Sequence, residues 1–121
     1  MNTNKTHGEI EAEISKAIEK FEREYMGRGP EESRTFLLGE TILVRLRGVL
    51  TPAERQLATS EDAKVRSLIK RLRQELLEKG RPLLEAIIKD ITGIHVVTLH
   101  TDISTKTGER IIVFTLKEPF H

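Results

Sequence analysis

The chain has 121 residues, which is enough for one hydrophobic core but not for two, so we expect a single domain. Charged residues make up 32% of the chain and yet the net charge is only +1, which argues against a dedicated nucleic-acid-binding protein. Because cysteine is absent, disulfides, thiolate zinc sites and cysteine nucleophiles are excluded.

The N-terminal residues contain no apolar segment of the kind that a signal peptide needs. No stretch approaches the roughly 18 apolar residues of a membrane span. We therefore expect a soluble cytoplasmic protein that does not insert into the membrane. Residues 1–8 are mostly polar, which predicts a flexible tail before a single domain over residues 9–121.

The first helix is predicted over Glu9–Tyr25, where apolar residues recur along one helical stripe. The segment Gly27-Arg28-Gly29-Pro30 then ends the helix, because glycine and proline interrupt its hydrogen bonding. The same segment can present Arg28 to an anion, with backbone N–H groups left open by the glycines. A helix stop followed by a turn is the favoured interpretation.

Two β-strands are predicted next, over Arg34–Leu38 and Thr41–Arg47, joined by a tight hairpin at Gly39-Glu40. Three apolar residues of the second strand share one face, while Arg45 and Arg47 lie on the other. These two guanidinium groups either bind an acidic ligand or keep an exposed sheet face soluble.

Thr51-Pro52-Ala53-Glu54 predicts a helix start, with a threonine cap, proline at the first helical position and a glutamate that completes the capping box. A second start is predicted at Thr59-Ser60-Glu61-Asp62, again with a hydroxyl cap. Gly80-Arg81-Pro82 interrupts the long helix that follows. Because Leu76 and Leu83 are seven residues apart, the apolar stripe keeps its face, so we expect one kinked helix.

The apolar stripe of this long helix predicts the side that faces the core, although it can also serve as the contact of a helix-mediated homodimer. Its residues are Val65, Ile69, Leu72, Leu76, Leu83, Ile87 and Ile91. Gly93 is expected to end the helix.

Two further strands are predicted over Ile94–Thr101 and Arg110–Lys117. Both faces of the last strand are apolar, so either helices cover both sheet faces or a second copy of the chain covers one. The order α-β-β-α-α-β-β predicts an α+β domain in which a four-stranded antiparallel sheet packs with long helices. The doubled αββ pattern also hints at internal pseudo-symmetry.

The run HTDISTKTGER, residues 100–110, is the densest group of chemically capable side chains. It is not a P-loop, because glycine follows lysine and a strand follows the loop. We predict a hairpin turn in which Gly108 adopts the left-handed conformation, either alone or with a ligand or partner contact. The candidate contact residues are Arg28, Arg45, Arg47, His100, Asp102, Ser104, Thr105, Lys106, Thr107 and Arg110.

The sequence does not favour catalysis or metal binding. No nucleophile and base lie at a workable spacing, so we expect no enzymatic activity and no cofactor. His100 and Asp102 share one face of a strand, but two ligands are too few for a structural zinc site. A solvated pair at the end of a strand is the simplest interpretation of these two side chains.

The segments GRGP, LVRLRGVLTPAERQLA and HTDISTKTGERIIVFTL occur in this order, and through them the chain resembles the MpsC-like family. This bacterial family was long described as a domain of unknown function. It is now labelled as the third component of a sodium-translocating, membrane-potential-generating system. The likeness extends from Glu9 to Lys117.

The resemblance implies a small soluble protein that acts near membrane components linked to cation transport and inorganic-carbon uptake. We therefore expect a non-enzymatic accessory or regulatory protein, acting by protein–protein contact at the inner face of the membrane. The expected partners are a second copy of the chain and membrane transport subunits. The alternative is a sensor that binds a small anion or nucleotide with Arg28, Arg45, Arg47 and the Ser104–Gly108 loop.

Overall fold

A computed structural model describes residues 5–120, which form three helices and one four-stranded sheet. The helices are α1 (His7–Tyr25), α2 (Pro52–Ala58) and α3 (Ala63–Thr92), and the strands are β1 (Glu32–Leu38), β2 (Thr41–Arg47), β3 (Val96–Ile103) and β4 (Arg110–Leu116). Neighbouring strands are all antiparallel. The predicted α+β class and the order α-β-β-α-α-β-β are confirmed.

The strand order in the sheet is β1-β2-β4-β3. The second strand of each hairpin therefore lies at the centre, where Val44 of β2 is opposite Ile112 of β4. Each half of the chain contributes one long helix and one hairpin, and the two halves meet through their second strands. This arrangement agrees with the pseudo-symmetry suggested by the doubled αββ pattern.

Helices α1 and α3 pack on the same face of the sheet, so only one of its faces is covered. Helix α1 lies on β1, where the hydroxyl groups of Ser15 and Thr35 are 2.7 Å apart, and α3 lies on β3. The core between helices and sheet is almost wholly aliphatic. Its fully buried members include Ile10, Ile14, Ile18, Ile42, Val44, Leu46, Leu84, Ile88, Ile112 and Phe114.

Helix α1 begins at His7, two residues before the predicted start. The reason is a capping box: Thr6 Oγ1 accepts from the Glu9 N–H at 3.1 Å, and the Glu9 carboxylate accepts from the Thr6 N–H at 3.2 Å. Residues 1–4 of the predicted tail lie outside the described residues.

The two helix starts in the middle of the chain differ in how they are capped. The predicted capping box of Thr51 and Glu54 is present. The cap of α3, however, is the carboxylate of Asp62, which accepts from the Lys64 N–H at 2.9 Å, and not a hydroxyl group. A carboxylate at this end also interacts favourably with the helix dipole.

Helix α3 continues unbroken through Pro82 for 30 residues. Proline removes the hydrogen bond to the carbonyl of Glu78 and is unfavourable inside a helix. Burial of Leu77, Leu84 and Ile88 on either side holds both segments on the same core, so one helix forms.

The predicted core stripe of α3 is confirmed only in part: Ile69 is buried and Leu76, Ile87 and Ile91 pack half-buried against the core, but the prediction is wrong for two leucines. Leu72 and Leu83 are 52% and 54% exposed, respectively. The buried side is instead formed by Ile69, Arg73, Leu77, Gly80, Leu84, Ile88 and Thr92. An arginine, a glycine and a threonine thus face inward, while leucines on the neighbouring side remain in contact with solvent.

Candidate functional site

The loop between β3 and β4 is a compact turn whose polar groups mostly bond to one another. The Ser104 N–H donates to the Glu109 carbonyl, and the Gly108 N–H donates to the Ser104 carbonyl, both at 2.8 Å. The hydroxyl groups of Ser104 and Thr107 accept from the N–H groups of Thr107 and Glu109, both at 3.3 Å. Most of the donors in this run therefore stabilise the turn itself.

Gly108 has the predicted left-handed backbone, with φ of +75°, which disfavours any residue with a side chain. Its carbonyl accepts from the Val49 N–H at 3.1 Å. The turn is thereby held against the segment that connects β2 to α2.

A cleft of about 630 Å³ lies between this turn and the start of α2. Its lining combines the turn with residues far away in sequence: Glu31, Arg47, Gly48, Leu50, Arg55, Thr59, Thr105, Lys106, Thr107, Gly108 and Glu109. The fold thus brings together four of the predicted contact residues, namely Arg47, Thr105, Lys106 and Thr107.

The charges in the cleft largely compensate one another. Arg47 lies 3.9 Å from the carboxylate of Glu109, and Arg55 lies 3.7 Å from that of Glu31. The side chains of these pairs are at least one-third exposed, so each pair contributes little to the stability of the protein. Lys106 is exposed and forms no ion pair with any carboxylate of residues 5–120.

Three of the other predicted residues, Arg28, Asp102 and Ser104, lie in depressions beside the cleft. Arg28 contacts Glu31 at 3.2 Å in a depression that also includes Arg55. Asp102 lines another depression together with Ser104 and Lys106. A hydrogen bond from Lys70, whose Nζ is 3.1 Å from Asp102 Oδ1, holds the pKa of that carboxyl below its usual value.

Arg45 and His100 lie on the face of the sheet that is not covered by α1 and α3, rather than in the cleft. Arg45 reaches Glu109 at 4.0 Å, at the border between the two regions. His100 is exposed in β3, directly opposite Val113. The prediction that His100 and Asp102 share a face is confirmed by their registers with Val113 and Ile111.

Arg110 lies apart from the other predicted contact residues. It is 0% exposed and points to the face covered by the helices, because its neighbours in register are Leu46 and Ile103. Its Nη1 donates to the hydroxyl of Thr101 at 3.0 Å. Alternation along β4 places Arg110 on the side of Ile112 and Phe114, so it cannot contact a ligand in the cleft.

Below the cleft, Arg73 of α3 forms a buried hydrogen-bonded network. Its side chain is 1% exposed, its Nε donates to Glu54 at 2.9 Å, and its Nη2 donates to the Val49 carbonyl at 2.8 Å and to the second oxygen of Glu54. Burial alone would raise the pKa of Glu54, but hydrogen bonds from Arg73 and Thr51 hold it below its usual value. Val49 thus links the buried arginine to the turn.

Glu22 of α1 is a second buried acid in this region. Burial raises the pKa of its carboxyl, and the positive charges of Arg110 and Arg73 oppose that rise. Burial likewise lowers the pKa of Arg110, against the attraction of Glu22. Charges on α1, α3 and β4 therefore influence one another in the interior, but the attraction between them is smaller than the effect of desolvation.

Several of these residues were not predicted from the sequence. Arg55 and Glu31 line the cleft, although only the capping motif of α2 hinted that this segment is ordered. Arg73 and Glu22 occupy positions on helices where a charged residue usually faces solvent. The sequence did contain one signal of their burial, which is their helical spacing from buried residues. Arg73, for example, lies four residues from both Ile69 and Leu77.

Within residues 5–120, no group of three or more His, Asp or Glu side chains is placed to hold one metal ion. None of the helices in that range has the length and apolar character needed to cross a bilayer.

The family described as "Na+-translocating membrane potential-generating system (MpsC)" matches residues 6–118. The chain belongs to the MpsC family. A relative from Bacillus subtilis, titled "Uncharacterized protein YbcI", is 46% identical over 112 residues. The match covers 93% of this chain and 89% of that relative. No solved structure matches this MpsC-family protein.

Proposed function

We propose that this MpsC-family protein is a non-enzymatic accessory or regulatory component that works by contacting other protein chains, including membrane transport subunits. The observation that carries the proposal is an exposed apolar strip on α3. Leu68, Leu72 and Leu83 are 61%, 52% and 54% exposed. They lie along one side of the helix over about 22 Å. Leu76 and Ile87 are half-buried beside them.

Isolated exposed leucines are common, but several on one side of a helix are typical of a protein–protein contact surface. Leu68, Leu72 and Leu76 are spaced four residues apart, as are Leu83 and Ile87, and apolar anchors at this spacing fit a groove or a second helix. The description of the family, a sodium-translocating system that generates membrane potential, supports components of such a system as the partners.

Cross-linking in cells tests this proposal. The tagged wild-type protein is expected to capture membrane transport subunits, identified by mass spectrometry. The double variant Leu68→Glu/Leu72→Glu places two charges on the strip and should lose this capture. Val97→Glu is the matched control, because Val97 is 60% exposed but lies on β3. Capture that is equal in all three proteins, or that yields no membrane subunit, contradicts the proposal.

A second candidate function is a sensor for a small anion or nucleotide, and the composition of the cleft favours it. Arg47, Arg55 and Lys106 all line the cleft, against the two acids Glu31 and Glu109. An anion there would gain the field of three cations and two threonine hydroxyl groups. Arg28, in the adjoining depression, is close enough to Glu31 to share it with Arg55.

Thermal unfolding in the presence of phosphate, bicarbonate and nucleotides tests the sensor. A ligand at one hundred times its dissociation constant adds about 2.7 kcal/mol, which raises the melting temperature of a domain of this size by several degrees. Lys106→Ala should abolish the rise, whereas Lys79→Ala, an exposed lysine on α3, should not. No rise with any of these ligands would exclude the sensor.

A further inference from the structure

The face of the sheet turned away from α1 and α3 has an ordered pattern across the strands. Residues in register on β1, β2, β4 and β3 form three rows. The rows are Leu38, Thr41, Thr115 and Thr98; then Phe36, Leu43, Val113 and His100; then Arg34, Arg45, Ile111 and Asp102. We call this surface the open face. Its middle row is mainly apolar, and its third row runs from positive to negative charge.

Both edges of the sheet carry features that disfavour the addition of another strand. At β1 the outward N–H of Leu37 donates to the carboxylate of Glu11 at 2.8 Å. At β3 the carbonyl of Leu99 accepts from Arg81 at 3.5 Å, and a bulge between Val96 and Thr98 breaks the ladder. Side chains from the helices and a bulge are common ways to protect edge strands. The open face is therefore the part of the sheet against which another protein chain can pack.

We propose that two copies of the chain pack open face to open face, around a two-fold axis parallel to the strands. The proposal deepens the proposed function, since it assigns one contact surface to a second copy. The product is a four-layer arrangement in which two sheets are enclosed by two layers of helices.

The chemistry of the rows favours a second copy because the open face is complementary to itself under this axis. The axis brings β1 opposite the partner's β3 and β2 opposite the partner's β4. Leu43 then meets the partner's Val113 next to the axis, and Phe36 meets the partner's His100. A small aliphatic pair at the centre, flanked by an aromatic ring and an imidazole, can pack closely without burying a fixed charge.

The two ends of the third row are complementary under the same axis, whereas Arg45 in its middle lies opposite the partner's Ile111. Arg34 lies opposite the partner's Asp102, and no carboxylate of residues 5–120 forms an ion pair with Arg34. The side chain of Asp102 is 71% exposed even though Lys70 contacts it. Two aligned sheets cross at about 30°, which displaces Arg34 from the partner's Asp102 by a few ångströms. The arginine side chain is long enough to bridge this displacement. Two such pairs form at the rim.

The size of the open face predicts a dimer of moderate affinity. Four strands about 4.8 Å apart and seven residues long cover roughly 440 Å². Two such faces bury roughly 900 Å² before the relief of the side chains is counted, which is below the range of about 1,200–2,000 Å² of stable interfaces and typical of weak, transient ones. We therefore expect dissociation in the micromolar range and a monomer–dimer equilibrium visible in solution.

Analytical ultracentrifugation of the full chain, over about 1 to 200 µM, tests the dimer. The wild type should change from monomer to dimer across this range. Val113→Glu places two carboxylates next to each other at the axis and should give monomer throughout. Leu72→Glu, on the exposed strip of α3, should dimerise like the wild type.

A charge exchange between two exposed residues gives a second test, which does not require the Val113→Glu variant to fold. Arg34→Asp should weaken the dimer about tenfold, and Arg34→Asp/Asp102→Arg should restore most of the affinity. A wild type that is monomeric at every concentration overturns the proposal. So does a dimer lost in Leu72→Glu but retained in Val113→Glu, which would show a contact through α3. A monomeric wild type leaves the capture of membrane subunits by Leu68 and Leu72 untouched, so the two proposals fail separately. A dimer lost only in Leu72→Glu would instead assign the strip on α3 to a second copy, and the capture experiment then decides whether membrane subunits bind there as well.

Discussion

Replacing Arg73 with methionine is expected to lower the free energy of unfolding by about 3–5 kcal/mol. The guanidinium is 1% exposed, and it supplies the hydrogen bonds of two groups with little access to solvent, the Glu54 carboxylate and the Val49 carbonyl. Methionine fills a similar volume but donates nothing. The loss of stability therefore measures the cost of leaving the carboxylate and the carbonyl without a hydrogen-bond donor, rather than the cost of a cavity.

Urea unfolding of the wild type and Arg73→Met measures this loss. Arg71→Met is the matched control, because Arg71 is exposed on the same helix, and its effect should stay within about 0.5 kcal/mol. The double variant Arg73→Met/Glu54→Gln should recover part of the stability, since glutamine retains the capping box without leaving a charge unpaired. A loss below about 1 kcal/mol in Arg73→Met would contradict the role assigned to this network.

Gly80→Ala is expected to destabilise the protein by about 1–2 kcal/mol, although alanine is the better helix former by about 1 kcal/mol. A Cβ at this position would lie 2.6 Å from Cζ of Phe21 and 3.1 Å from Cε2 of Tyr25. The two rings are stacked, with centroids 5.0 Å apart, and Phe21 is 5% exposed. Because a buried ring cannot move aside easily, α1 and α3 would have to separate.

Thermal or urea unfolding checks this prediction, with Gly8→Ala as the matched control. Gly8 is also helical and exposed, and a Cβ there meets only Thr6 Oγ1 at 3.9 Å. Gly8→Ala should be neutral or slightly stabilising. If Gly80→Ala stabilises the protein as Gly8→Ala does, the close crossing of α1 and α3 does not require glycine.

Most elements of the fold could be predicted from local patterns. The capping box at Thr51 and Glu54 and the alternation in β2 depend on neighbouring residues, and both were confirmed. The orientation of α3 could not be predicted in this way, because its buried side includes Arg73 and Gly80. Only the tertiary partners, Glu54 for the arginine and Phe21 for the glycine, make those residues suitable for the interior.

The candidate site was predicted only in part for the same reason. The turn at Ser104–Gly108 was visible as a cluster of turn-forming residues, and Gly108 has the expected conformation. The sequence does not show that the hydroxyl groups of Ser104 and Thr107 are used within the turn. It also does not show that Arg55 and Lys106 line the same cleft, since that depends on how α2 packs against α3.

The interior network and the cleft are physically continuous. Val49 accepts from Arg73 through its carbonyl and donates to Gly108 through its N–H. A change in the packing of α3 is thus linked by two hydrogen bonds to the turn beside the cleft. This continuity connects the surface of α3 proposed for partners with the cleft proposed for anions.

The most direct test of the central claim is the membrane potential of bacterial cells that lack their own MpsC-family protein, measured with a potential-sensitive dye. We expect the wild-type chain and Val97→Glu to restore the potential, whereas Leu68→Glu/Leu72→Glu, although folded and equally abundant, should not. Full restoration by Leu68→Glu/Leu72→Glu would contradict a function exerted through the exposed strip of α3.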